Sequence, residues 1–231
     1  MTLADDLRTE VKAIFAGGWS ERDGQKVPEP ADLKLGNDGI NLDATVLYAD
    51  MDGSTKLVDN HSARYAVEVY KSYLTCAARI IKYEGGVITA YDGDRIMAVF
   101  IGDFKNTVAA RTALKINYAV NEIVNPALKA QYPKENFVLK HVVGVDTSKL
   151  LVARIGVRND NDIVWAGRAG NHAAKLTEIS NDVPIFITGD VFDKLADGSK
   201  LGANGQPMWT RRQWTPMNNA RIYSSNWQWK P

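Results

Sequence analysis

Two pairs of aspartates stand where apolar runs of the sequence end. Asp50 and Asp52 follow the apolar residues 44–49, and Asp92 and Asp94 separate residues 87–91 from residues 96–101. Carboxylates are the ligands that hard divalent cations prefer, and two such cations about 3.5–4 Å apart can share the oxygens of a reacting phosphate. The pairs therefore indicate two-metal phosphoryl chemistry, provided that the fold brings them together. Taken singly, each Asp-Gly pair is more typical of an ordinary turn.

Two further segments have residues suited to a phosphorylated substrate. The first is a turn of small residues that leads toward a helix: Gly53, Ser54 and Thr55. Its backbone N–H groups are suited to a triphosphate. The second contains Arg168, Asn171 and Lys175, whose spacing of three and four residues places all three on one face of a helix. If that face lines a cleft, its side chains are placed to act on a substrate. If it faces water, it is only a solvated polar surface.

The elements that must position these residues follow from hydrophobic periodicity and turn signals. Strands are expected at residues 44–49, 87–91, 96–101, 137–145, 150–157, 163–166 and 184–188. Helices are expected at residues 62–83, 106–124 (ending before Pro126) and 170–179. The order β-α-β-β-α-β, with more elements appended, predicts an α+β fold with an antiparallel or mixed sheet and helices packed on one face. In such a sheet the first strand and the hairpin are neighbours, so the aspartates converge.

The first 41 residues differ from the rest of the chain. Leu3, Leu7 and Val11 recur at helical spacing, Gly17 and Gly18 end the pattern, and a segment rich in Pro, Gly and charge follows. We expect residues 1–41 to form a helix and a linker arm, and residues 42–231 to form one catalytic domain.

Composition excludes several partners. The chain has 28 Lys and Arg against 27 Asp and Glu, so no net field favours nucleic acid or an anionic membrane. A single cysteine, Cys76, excludes an internal disulfide, and the sequence contains neither a membrane-span pattern nor a signal-peptide pattern. We therefore expect a cytoplasmic protein that binds neither nucleic acid nor membrane.

Histidines and tryptophans are expected to be structural. His61, His141 and His172 share no metal-ligand spacing, so satisfied structural roles are expected for them. The tryptophans near the C-terminus are expected to fill core or a subunit interface: Trp209, Trp214, Trp227 and Trp229.

Three segments, taken in order, resemble the class III adenylate and guanylate cyclases. LYADMDGST is similar to that family's first metal motif, GGVITAYDGDRIMAVF to its second metal hairpin, and GNHAAKL to its asparagine helix. The resemblance covers residues 43–180. It implies a ferredoxin-like βαββαβ catalytic domain with appended strands, which closes a nucleoside triphosphate into a 3′,5′-cyclic monophosphate.

The resemblance also implies roles for individual residues. Asp50 and Asp94 would hold two divalent cations, Mn²⁺ or Mg²⁺, with the backbone carbonyl of Met51. Asn171 would orient the ribose, and Lys175 stands where the family usually has the arginine that stabilises the transition state. Arg168 is the alternative cation, because lysine lacks the bidentate fork of arginine. In this family each site of a head-to-tail homodimer takes its metals from one subunit and its asparagine helix from the other.

The base pocket departs from the purine cyclases. Where that family places a lysine and a polar residue to read the purine edge, this chain has Ala90 and Val164, and Tyr48 adds bulk two residues before the metal aspartate. This combination resembles the pyrimidine cyclases of the Pycsar antiphage system, which make a cyclic pyrimidine nucleotide as an alarm signal for a separate effector. UTP is the favoured substrate, and CTP and ATP are the alternatives. An inactive, cyclase-like nucleotide sensor is the alternative from another class.

Overall fold

The computed structural model describes residues 2–179 and 183–231. In these residues the helices are α1 (Leu3–Ala16), α2 (Ser54–Asn60), α3 (Ala63–Tyr83), α4 (Lys105–Ala119), α5 (Asn125–Gln131), α6 (Arg168–Thr177) and α7 (Gly189–Asp193). The strands are β1 (Ser20–Asp23), β2 (Asp38–Asp52), β3 (Val87–Asp92), β4 (Arg95–Phe100), β5 (Lys140–Val157), β6 (Asp160–Ala166), β7 (Ile185–Thr188), β8 (Thr210–Trp214) and β9 (Ala220–Ser225). The chain forms two compact units. The smaller contains residues up to Asp43 with Lys149–Gly167, and the larger contains Ala44–Ser148 with the chain from Arg168 onward.

The larger unit is built on a mixed sheet with the strand order β3-β4-β2-β5-β7-β9-β8. β4 is antiparallel to both β2 and β3, β5 is parallel to β7, and β9 is antiparallel to β7 and β8. The elements β2-α3-β3-β4-α4-β5 have the βαββαβ order of a ferredoxin-like fold, with β7, β9 and β8 appended at one side. The predicted fold class is confirmed.

Helices cover both faces of this sheet. In β7, Ile185 and Ile187 belong to the large core that includes α3 and α4, whereas Phe186 packs with Leu176 of α6. Successive strand residues point to opposite faces, so α6 lies on the face away from α3 and α4. The expectation that helices pack on one face is therefore wrong. The sequence pattern did not distinguish the faces because both sides of β7 are apolar.

Helix α3 agrees with its sequence signals. The Ser62 hydroxyl accepts the N–H of Tyr65 as the N-cap, and the chain leaves the helix at Gly85, whose φ of 82° is a left-handed conformation. Buried residues at helical spacing, including Val69, Tyr73 and Ala77, anchor the helix to the core.

The helix predicted to end before Pro126 instead continues past it. A π-turn at Val120–Val124 separates α4 from α5, and Pro126 occupies the first turn of α5. A proline is tolerated there because the first N–H groups of a helix have no intrahelical acceptor. The Asn125 side chain donates to the carbonyl of Leu139 and accepts its N–H, which ties the start of α5 to the segment entering β5.

β5 is one strand of 18 residues, where two strands (137–145 and 150–157) were predicted. Two of the polar residues between the predicted strands, Asp146 and Thr147, are buried, although Lys149 is exposed. Thr147 is 2% exposed, and its hydroxyl donates to the Ala44 carbonyl at 3.1 Å and accepts from the Thr45 hydroxyl at 3.2 Å. These hydrogen bonds within the larger unit replace the hydrogen bonds to water that the Thr147 hydroxyl would make in an exposed turn.

The smaller unit contains two strand pairs and the first helix. β1 is parallel to the start of β2, with Ser20 opposite Asp38, and β5 forms a hairpin with β6 that closes at Val157 and Asp160. Arg22 donates to the Asp38 carboxylate at 2.7 Å. The expected linker arm is thus partly strand, and the division at residue 41 stays a prediction.

Helix α1 has the amphipathic pattern expected of it but buries no residue. A capping box between Thr2 and Asp5 begins the helix, and the Asn37 side chain donates to the carbonyls of Ile14 and Gly17 at its end. A search of the described helices finds none that is both long and apolar enough to cross a membrane.

The tryptophan expectation is confirmed. Trp209 and Trp214 are buried, and Trp227 and Trp229 pack against the large core. Asn117 of α4 holds this tail by donating to the carbonyl of Trp227 at 2.9 Å.

Candidate active site

Asp50 and Asp94 come together at the end of β2. Antiparallel pairing aligns Ala49 with Ile96, which puts Asp50 next to the start of β4, and Asp94 follows Gly93 at the hairpin tip. Burial of Asp50, and then the nearby negative charge of Asp94, raise the pKa of the Asp50 carboxyl from 3.8 to about 6. The predicted convergence is therefore present for these two carboxylates. Asp52 and Asp92, the other members of the two pairs, are exposed.

This pair fits divalent cations. Two carboxylates that repel one another in a half-buried position gain from a bound positive charge. No group of three His, Cys, Asp or Glu side chains in the described part of the chain is placed to hold a metal, so further ligands must be of another kind. The backbone carbonyl of Met51, between the aspartates of β2, would give an oxygen-only donor set of the type that Mn²⁺ and Mg²⁺ take. The metal roles of Asp50, Met51 and Asp94 stay predictions.

The small-residue turn begins α2. Gly53 is the N-cap residue with a φ of 78°, Ser54 is the first helical residue, and Thr55 is exposed. The buried Leu57 anchors this short helix, and its N–H donates to the Gly53 carbonyl. The turn thus follows directly on the metal candidates, as the sequence predicts.

Tyr48 lies on the same sheet face as Asp50, two residues earlier on β2. The guanidinium of Arg95 stacks over the Tyr48 ring at 5.3 Å from its centroid and donates to Asp92 at 2.9 Å. Met97 pairs with Tyr48 on one side and with Ala90 on the other, so the three residues form one row across β2, β4 and β3. Tyr48 and Ala90, two of the residues predicted to contact the nucleotide base, therefore lie near each other.

Sequence reasoning missed Arg95. Its position directly after Asp94 was visible in the sequence, but its stacking on Tyr48 depends on the β2–β4 register, which cannot be deduced from the sequence. Val164 lies in the smaller unit, half-buried on β6 and paired with Ala153.

All three candidates of helix α6 are exposed, but their contacts differ. Asn171 and Lys175 are exposed, and no ion pair of Lys175 occurs among the residues that the structure describes. Arg168 is engaged differently, since its guanidinium pairs with Asp146 and with Asp190. The structure therefore favours Lys175 over Arg168 as the cation available to a substrate.

The exposed face of α6 that carries Asn171 and Lys175 points away from Asp50 and Asp94 of the same chain. Thr177, at the end of α6, is buried, and its hydroxyl lies 3.5 Å from an Asp50 carboxylate oxygen. Lys175 is about 200° around the helix from Thr177, and Asn171 is about 9 Å further back along its axis. Asn171 and Lys175 thus do not join Asp50 and Asp94 within one subunit.

The histidine expectation holds for two of the three residues. His61 contacts Glu135 at 2.9 Å and His172 contacts Asp146 at 3.3 Å. The buried His141 Nε2 has no hydrogen-bond partner among the residues that the structure describes, and burial lowers the pKa of His141 to about 3. His141 is therefore neutral and structural, but not fully satisfied.

Comparison with solved structures gives the fold class. The chain superposes on the crystal structure of the guanylyl cyclase Cya2 with a TM-score of 0.70, at 20% identity, over 84% of this chain and 96% of the other. It superposes on the adenylyl cyclase CyaB from P. aeruginosa with a TM-score of 0.65, at 19% identity, over 80% and 94% of the two chains. Together with the paired aspartates and the helix that carries Asn171, this fold is that of a class III nucleotide cyclase.

Comparison of sequences identifies the family within this fold class. A uridylate cyclase of Xanthomonas perforans is 51% identical over 231 residues, covering 100% of this chain and 99% of the relative. A uridylate cyclase of Burkholderia cepacia is 52% identical over 99% of both chains. No protein-family model matches. The chain belongs to the uridylate cyclase family and is a nucleotide cyclase.

Proposed function

We propose that this enzyme is a pyrimidine cyclase that converts UTP into 3′,5′-cyclic UMP and pyrophosphate, working in the cytoplasm as a homodimer. The single observation that carries the choice of base is the row formed by Tyr48, Met97 and Ala90. It places a bulky ring under Arg95 and no purine-reading lysine at position 90. The names of the full-length relatives support the same substrate. The product would serve as an alarm signal in antiphage defence, acting on a separate effector that this chain does not bind.

Two cations, Mn²⁺ or Mg²⁺, would be held by Asp50, Asp94 and the Met51 carbonyl. When bound, such cations polarise the α-phosphate and lower the pKa of the attacking 3′-hydroxyl. Gly53, Ser54 and Thr55 would hold the triphosphate through backbone N–H groups at the start of α2. Asn171 would orient the ribose, and Lys175 would stabilise the charge that develops on the phosphate.

The direction of α6 supports a site shared between two subunits. Asn171 and Lys175 face away from the metal pair of their own subunit, so a two-fold partner is needed to supply them. An isologous contact would build two equivalent sites, each with metals from one subunit and α6 from the other. Each subunit would contribute its aspartates to one of these sites and its α6 to the other.

A substrate panel tests the choice of base. The purified protein is given ATP, GTP, CTP and UTP with Mn²⁺, and cyclic products are separated by chromatography. We expect UTP to be consumed fastest, with equimolar cyclic UMP and pyrophosphate. A preference for ATP would refute the argument from Tyr48 and Ala90. Tight triphosphate binding without turnover would instead identify a nucleotide sensor.

Subunit complementation tests the shared site. Inactive Asp50→Ala protein is mixed with inactive Asn171→Ala protein under conditions of subunit exchange. About half of the dimers would then be mixed, each with one intact site, so about a quarter of wild-type activity should return. A mixture that stays inactive although exchange is shown by a labelled subunit would refute the shared site.

A further inference from the structure

A buried ionic cluster holds the start of α6. The Asp146 side chain, on β5, is 0% exposed. It accepts a hydrogen bond from the Thr188 hydroxyl at 2.5 Å and from Arg168 Nε at 3.2 Å, and His172 Nδ1 lies 3.3 Å away. One carboxylate therefore connects β5, β7 and two positions of α6.

Those two positions fix how α6 is rotated. Arg168 and His172 are four residues apart on one flank of the helix, where their side chains, 44% and 19% exposed, reach Asp146. Asn171 and Lys175 lie beside them on the exposed face. Two contacts one turn apart on a rigid helix leave it little freedom to turn about its axis. The direction of Asn171, and of Lys175 one turn later, is set by the same two contacts.

Neighbouring contacts fix the distance between α6 and the sheet. The Ala169 N–H donates to the Ser148 hydroxyl at 3.0 Å. At Gly144, two residues before Asp146, an added Cβ would lie 2.1 Å from the Ala173 carbonyl oxygen, so α6 and β5 are in close backbone contact. His172 also meets the Trp214 ring edge-on, with centroids 5.3 Å apart.

Burying a carboxylate to hold a helix in place costs free energy. Burial raises the pKa of Asp146, which means that the ionised form is disfavoured despite its partners. Replacing a buried ion pair by apolar residues of similar size is often neutral or stabilising. An apolar contact would attach α6 equally well but would not define its rotation, because apolar contacts are not directional.

We propose that Asp146 is a positioning residue of the cyclase, which sets the direction of Asn171 and Lys175 by holding Arg168 and His172. This inference rests on the proposed function of α6 in the shared site. It assigns Arg168 to the support of the site, not to contact with substrate.

The test uses Asp146→Asn, which keeps the size of the side chain and an acceptor for Thr188 but removes the charge opposite Arg168 and His172. We expect kcat to fall at least about tenfold with the Mn²⁺ concentration for half-maximal activity unchanged, because the metal aspartates are untouched. Asp190→Asn is the matched control, since it removes the exposed partner of Arg168 and leaves Asp146 in place. It should keep most of the activity.

Complementation separates positioning from general destabilisation. Asp146→Asn mixed with Asp50→Ala should recover activity, because the two lesions affect different halves of each site. Asp146→Asn mixed with Asn171→Ala should not, because both affect the α6 half. Recovery in the second mixture, or none in the first while Asn171→Ala with Asp50→Ala recovers, would overturn the proposal.

Hydrogen exchange gives a readout that does not depend on activity. The amides of residues 168–175 should exchange faster in Asp146→Asn, whereas those of α3 should not. Unchanged exchange at α6 overturns the proposal even if the shared-site function fails its own complementation test. If Asp146→Asn does not fold, His172→Gln removes one of the two contacts from a side chain that is 19% exposed, and the same mixtures and exchange measurements apply.

Discussion

Replacing Asp50 with Asn should stabilise the metal-free protein at neutral pH while abolishing turnover. Burial and the Asp94 charge raise the pKa of Asp50 from 3.8 to about 6. As pH rises, the unfolded chain loses this proton first, so the folded state is disfavoured progressively above about pH 4, and fully above about pH 6. Asn has nearly the same shape and no charge, so it removes this penalty.

The size of the effect follows from the shift. About two pKa units at 1.36 kcal/mol each give an upper bound of about 3 kcal/mol. Asp50 is only half-buried, and water relaxes part of the penalty, so we expect about 1–2 kcal/mol at pH 7.5. For a chain of this length that corresponds to a Tm increase of about 2–8 °C. At pH 5 the gain should be about half as large.

Thermal unfolding in the presence of a chelator measures this difference, with circular dichroism at pH 5 and pH 7.5. Asp52→Asn is the matched control, because Asp52 is exposed on the same strand and its replacement should leave the Tm unchanged. Mn²⁺ should then raise the Tm of the wild type but not that of Asp50→Asn, since a ligand stabilises only the protein that binds it. An Asp50→Asn protein no more stable than the wild type at pH 7.5 would refute the reasoning.

Two further substitutions test the role of Tyr48 in base selectivity and the packing of α6 against Gly144. Tyr48→Ala should lower the preference for UTP over ATP more than it lowers the rate with UTP, measured in mixtures of the triphosphates; an unchanged ratio would remove Tyr48 from the base pocket. Gly144→Ala should lower the free energy of unfolding by about 1–3 kcal/mol and reduce kcat, because the new Cβ meets the Ala173 carbonyl at 2.1 Å. Gly198→Ala, with no atom within 4 Å of the new Cβ, is its control in urea unfolding and should be neutral.

The convergence of Asp50 and Asp94 could be predicted from sequence because its signals are local. An apolar run that ends in Asp-Met-Asp-Gly, and a second Asp-Gly between two apolar runs, identify a strand end and a hairpin without any long-range information. The βαββαβ order then brings Asp50 and Asp94 together. The stacking of Arg95 on Tyr48 was missed because it depends on strand register.

The support of α6 could not be predicted for a different reason. Asp146 lies between the two strands predicted at residues 137–145 and 150–157, and the sequence pattern indicated no role for it. Its three partners lie 22, 26 and 42 residues further along the chain, at Arg168, His172 and Thr188. No periodic pattern connects positions at such separations. Likewise Pro126 ends a helix by local rules, whereas in the structure a π-turn precedes it and Pro126 lies in the first turn of α5.

Asp50 and Asp146 differ in how the charge of their carboxylates is compensated. Asp146 has its cation and its donors in place within the subunit, so the direction of α6 is set before any ligand binds. Asp50 faces a second carboxylate, and the charge of Arg95, the Met51 N–H and the Thr177 hydroxyl compensate its charge only in part, which leaves the carboxylate suited to a ligand of opposite sign. If this division is correct, Asp146→Asn should still gain thermal stability from Mn²⁺ as the wild type does, whereas Asp50→Asn should not. Loss of the Mn²⁺ response in Asp146→Asn would show that the two halves of the site are coupled within one subunit.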